Sequence, residues 1–157
     1  MGNKLQDSTA GAFLNTARQY HEAARRLFPQ RESVELPLYF LYAHAIELLL
    51  KAYLRSHGLS IRKSHDLGIL LQECRRKGLR VHSDLQNVIN LLESENKQQG
   101  FRYYLFASTT RPEISYVSET VDEFMAVVSD YVKNNPEIVP KKTIVKLIVS
   151  KPSRGQS

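Results

Sequence analysis

Apolar residues recur with the period of an amphipathic helix in five separate stretches of this chain. The first, from about Thr9 to Phe28, places Phe13, Ala17, Tyr20, Ala24 and Leu27 on one stripe. Asp7 or Ser8 is placed to cap it, and Pro29 to end it, because the residue before a proline avoids helical angles. The second runs from near Pro37 to Gly58 and is apolar almost all round, from Leu38, Phe40 and Leu41 to Leu50, Tyr53 and Leu54. A helix of that kind belongs in the centre of a core or in a subunit interface, and it is the reason to expect a homodimer. The third follows Ser64 as candidate cap, shows Leu67, Leu70, Leu71 and Cys74, and ends at Gly78. The fourth starts after Ser83 with Leu85, Val88, Ile89 and Leu92 and runs out near Gly100. The fifth starts after Ser118 with Val121, Phe124, Met125 and Val128 and stops before Pro136. Between the last two, Phe101–Val117 is too rich in aromatics for a free linker and is expected to pack on the bundle.

The fold class read from this pattern is all-α, a bundle of four to five helices over 1–135. A short basic tail, 136–157, follows, and its β-branched stretch from Thr143 to Val149 reads as one strand or as disordered chain.

Composition narrows the class of molecule. The hydrophobic set is 42% of 157 residues and charged residues are 24%, which fits an ordinary globular domain. Cys74 is the single cysteine, so an intramolecular disulfide and a thiolate-rich zinc site are excluded. No run of eighteen apolar residues exists to span a membrane, and the N-terminus lacks the layout of a signal peptide, so a cytoplasmic location is expected. The net charge of +6 is uneven: six cations face two acids in 62–80, five acids face one lysine in 113–135, and the tail is basic again. Such patches permit contact with nucleic acid and equally describe a solvated surface.

Three constellations carry candidate chemistry. On the second helix His44, Glu47, Lys51 and Arg55 fall within one arc, with Glu47 and Lys51 an i, i+4 pair in the favourable order. That arc is either a narrow solvent-facing edge or a polar groove on an apolar wall. Ser64-His65-Asp66-Leu67 opens the third helix, where free amide N–H groups favour anions. Alternatively it is a capping turn with His65 at the surface. Arg102, flanked by Phe101, Tyr103 and Tyr104, suits stacking on a base and pairing with phosphate, or clamps a loop. Phosphate-loop, dinucleotide and HExxH motifs are absent, scattered histidines argue against a metal site, and no cofactor is implied. Cys74 lies on an apolar stripe and reads as buried and inert.

Ala45-Ile46-Glu47-Leu48-Leu49-Leu50-Lys51-Ala52, then His65-Asp66-Leu67, then Arg102-Tyr103 resemble the motifs of the HEPN family (higher eukaryotes and prokaryotes nucleotide-binding), over about Phe13 to Lys133. The resemblance implies an up-and-down bundle that usually dimerises. It also implies RNA cleavage, binding of RNA or nucleotide, or partnership with a nucleotidyltransferase in defence or toxin–antitoxin systems. Active members pair an arginine with a histidine across a gap of four to six residues. Here Arg102 is followed at those offsets by Ala107, Ser108 and Thr109, and only Arg75 and Arg76 reach a histidine, His82. The expectation is therefore a non-catalytic dimeric module with Glu47, Lys51, His65, Arg102 and Tyr103 as binding residues. A metal-independent ribonuclease drawing on His65, Arg102, Arg76 and His82 is the second reading, and a structural scaffold the third.

Overall fold

The computed structural model describes residues 8–61, 63–97 and 112–136, and of 94–97 the backbone alone. Five α-helices are present among the described residues: α1 (Ala10–Leu27), α2 (Glu35–Ser56), α3 (Leu67–Arg76), α4 (Ser83–Lys97) and α5 (Ile114–Asn134), with a 3-10 turn at Phe28–Gln30. No strand occurs among the described residues. The stretch Thr143–Val149, with Arg102 and Tyr103, lies outside them.

The helix ends follow local chemistry. Thr9, rather than Asp7 or Ser8, caps α1 by accepting the Ala12 N–H at 3.1 Å. Pro29 does not stop the chain outright, because its fixed φ suits the first turn of the 3-10 segment. Asp66 caps α3, accepting the Ile69 N–H at 3.0 Å, while Ser64 supports that cap by accepting the Asp66 N–H at 3.1 Å. Gly58 and Gly78 leave α2 and α3 with φ of 72° and 93°, angles that cost a residue bearing Cβ. Helix α5 starts at Ile114, four residues before Ser118. The Ser118 hydroxyl accepts a hydrogen bond from Tyr42 at 2.9 Å and caps nothing. The apolar stripe simply extends backwards through Val117 and Ile114, which are buried.

Helix α2 is the central member and packs against all four others. Leu38, Tyr39, Tyr42, Ala45, Ile46 and everything from Leu48 to Leu50 are buried within one chain. Most of this apolar helix is thus covered by its own bundle, while Phe40 near its start is left 47% exposed. Helices α2 and α5 run in the same sense, as the pairs Tyr39–Pro112, Tyr42–Ser118 and Tyr53–Tyr131 show. Helix α3 also runs with α2, because Cys74 meets Leu50 and Tyr53 meets Lys77. Helix α4 turns back along α3, with Arg75 on Gln86 and Gly68 on Glu93. Alternation is thus carried by α1, α2, α4 and α5, and α3 is a short extra helix that brings its N-terminal end to the middle of α2.

Candidate functional site

The polar arc of α2 is not a solvent-facing edge. Glu47 is 7% exposed and Lys51 2%, so two ionisable groups are buried one turn apart on the core helix. Lys51 Nζ donates to Glu47 Oε1 at 2.5 Å. An unpaired charge here would be expensive to desolvate, and the i, i+4 spacing supplies the partner within the same helix.

The loop after α2 returns the chain so that His65, one residue before the α3 cap, reaches the same carboxylate. His65 Nδ1 donates to Glu47 Oε1 at 2.9 Å, while the imidazole remains 74% exposed. On the other side His44 Nδ1 lies 3.8 Å from Glu47 Oε2. The His44 ring is itself bracketed by Tyr20 edge-on at 4.3 Å and by Phe40 stacked at 6.0 Å. Burial pushes the Glu47 carboxyl upward, but the neighbouring His44, the Lys51 hydrogen bond and the charges of Lys51 and His65 outweigh it and bring the pKa to about 2. Glu47 is therefore an anion that anchors an ammonium and one exposed imidazole.

Two of the amides that open α3 already have carboxylate partners. Ile69 N–H is taken by Asp66 and Gly68 N–H donates to Glu93 Oε1 at 3.0 Å. Gly68 is what admits the second carboxylate, since a Cβ at that position would lie 3.0 Å from Glu93 Oε2. Asp66 thus serves as a cap, and His65 is left as the group facing outward.

Of the residues marked by the sequence, Glu47, Lys51 and His65 meet around one carboxylate, and Arg102 and Tyr103 fall outside the described residues. Arg76 and His82 are not brought together. Arg76 lines a hollow beside Leu54, Leu59 and Lys77, whereas His82 lines another against α5. The Gly78 turn between them sends the two side chains to different faces. Arg75 donates to Gln86 at 2.7 Å. Cys74 is fully buried, its S–H donates to the Leu50 carbonyl at 3.4 Å, and burial drives its thiol pKa far up.

One polar pair, a buried histidine on an exposed carboxylate, escaped the sequence reading. His21 Nε2 donates to Asp122 Oδ1 at 2.5 Å, joining α1 to α5. Part of its signal was present: His21 continues the Ala10–Phe13–Ala17 stripe by four, a polar residue on a buried face. Among the described residues, no group of three or more His, Cys, Asp or Glu side chains is placed to hold a metal ion. Nor is any helix among them long and apolar enough to cross a membrane.

An all-α bundle whose core helix presents Glu47 and Lys51 to a histidine at the head of the next helix belongs to a recognisable class of domain. The family profile described as HEPN domain matches residues 10–131, and the chain belongs to that family. No curated protein and no solved structure matches it.

Proposed function

We propose that this HEPN domain is a non-catalytic cytoplasmic module that binds RNA or a nucleotide through phosphate, at the junction of α2 and α3, and acts as a homodimer. The observation that carries the reading is the exposed His65 imidazole held by a buried Glu47–Lys51 pair. Burying two charges to fix one surface ring costs stability, and pre-organisation of that ring for a ligand is what the arrangement gains. Glu47 and Lys51 are positioning residues in this reading, and His65 makes the contact. Arg102 and Tyr103 are assigned phosphate pairing and stacking from the sequence pattern alone. Dimerisation is proposed because HEPN domains commonly dimerise. The separation of Arg76 from His82 supports a role without turnover, since phosphodiester cleavage needs a cation and a proton-transfer group at one phosphate.

One observation favours the scaffold reading instead: Lys51 already has its carboxylate, so the cluster is internally satisfied. Polarisation of a labelled single-stranded RNA in EDTA separates the readings, with AMP as competitor. Binding by the intact chain that weakens about tenfold in His65→Ala, and steeply between about 50 and 200 mM salt, supports the proposal. Equal binding by both proteins, or none, leaves the scaffold. RNA cut in EDTA by the intact chain and not by His65→Ala establishes a ribonuclease. Retention of a nucleotidyltransferase without RNA moves the site's role to protein contact.

A further inference from the structure

A second hollow, of about 320 Å³, lies between the α3–α4 turn and α5, away from Glu47 and His65. That volume is at the lower end of the range for small-molecule sites. Its floor is apolar and rigid: Leu85 and Phe124 are core residues, and Val127 at the rim is 42% exposed, one of few large apolar side chains that the bundle leaves in water. The Thr120 hydroxyl does not face a ligand, because it donates to the Tyr116 carbonyl at 2.8 Å.

The charges on the walls are arranged asymmetrically. Asp84 is engaged on both oxygens, one accepting from Tyr116 at 2.9 Å and the other lying 2.7 Å from His82 Nδ1. That leaves Arg80 on the turn and Glu123 on α5, which form no ion pair or hydrogen bond with any described residue. A cation from the α3–α4 turn and a carboxylate from α5, above an apolar floor, complement a molecule that carries an anion, a cation and an apolar body. A polyanion would meet Glu123 as repulsion, and a purely apolar guest would leave both charges unsatisfied.

The geometry points to a binding site for a small zwitterion with an apolar body, of the aromatic or branched amino-acid type. Its carboxylate pairs with Arg80, its ammonium with Glu123, and its side chain lies on Leu85, Phe124 and Val127. The site is independent of the phosphate-binding reading, and each can fail without the other.

Calorimetric titration of the full chain tests it with L-phenylalanine, its N-acetyl derivative, its amide and L-alanine. Phenylalanine binds, the two blocked derivatives bind about tenfold more weakly for the lost charge-assisted pair, and alanine gives no heat. Arg80→Gln abolishes the distinction between phenylalanine and its amide, and Glu123→Gln the distinction between phenylalanine and its acetyl derivative. Both positions are exposed, so the fold is kept, which circular dichroism verifies. The inference is overturned if none of the four binds or all bind alike. It is equally overturned if the substitutions change nothing, or if AMP binds instead and Arg80→Gln weakens it.

Discussion

Replacing Glu47 by Gln removes one charge and keeps the shape of the side chain. The carboxyl is held at about 2 in the folded chain against 4.5 ordinarily. At about 1.4 kcal/mol per tenfold preference, the folded state gains roughly 3 kcal/mol from the ionised form. Because the folded pKa lies below the unfolded one, this contribution is complete above pH 4.5 and is lost as the pH falls through about 2. The substitution also leaves the Lys51 ammonium buried opposite a neutral amide, so a loss at pH 7 of about 3–5 kcal/mol is expected. Urea titrations of both proteins at a series of pH values down to 2 measure the difference, and background titration of other carboxylates cancels between them. The two stabilities should converge as the acid limit is approached, since protonated Glu47 is close in chemistry to Gln. A difference that is small at neutral pH, or one that stays constant to pH 2, refutes the description of Glu47 as a buried anion.

Gly68→Ala should be near neutral or destabilising alone, and should stabilise by about 1 kcal/mol once Glu93→Ala removes the approaching carboxylate, as a double-mutant cycle in urea would show. Asp66→Ala removes the α3 cap and should cost about 1 kcal/mol in the same assay, with His65 less firmly held on Glu47. Gly78→Ala forces a Cβ into φ of 93° and should cost roughly 1–2 kcal/mol, read as a lowered thermal midpoint. Cys74 should resist a thiol reagent in the native protein and react fully in denaturant; fast labelling under native conditions contradicts its burial.

Helix periodicity carried most of the fold because α1, α3 and α4 each expose one polar face, so their buried stripes can be read from spacing alone. Helix α2 was legible as central for the opposite reason, but its partners were not: hydrophobicity says that a surface is covered and does not say by what. The start of α5 was hidden because Ser118 resembles a cap in sequence, and only the approach of Tyr42 shows its hydroxyl to be engaged elsewhere. At the site, the Glu47–Lys51 pair was visible as i, i+4 spacing. Its burial was not, since charged residues on one arc ordinarily mean solvent. The meeting of His65 with Glu47 depends on the path of the loop after Gly58, which no local pattern encodes. Glu93 had no signal of its own, and Gly68, a poor helix former in a first turn, was the only trace of it.

Tyrosines on α2 tie it to its neighbours at three levels: Tyr39 to the Pro112 carbonyl, Tyr42 to Ser118, and Tyr53 to the Lys77 carbonyl and the Tyr131 ring. Their rings are buried while their hydroxyls donate, so each acts as a pin with a fixed depth. A slide of α5 by one helical turn breaks the bonds to Pro112 and Ser118 together. The pair should therefore exchange its amide hydrogens as one cooperative unit, only on global opening. Helix α3, ten residues long and held at its head by carboxylates, should open and close ahead of that unit. His65 then sits on the boundary between a slow-exchanging block and a fast-exchanging one, where occupancy by a ligand registers as protection spreading into α3.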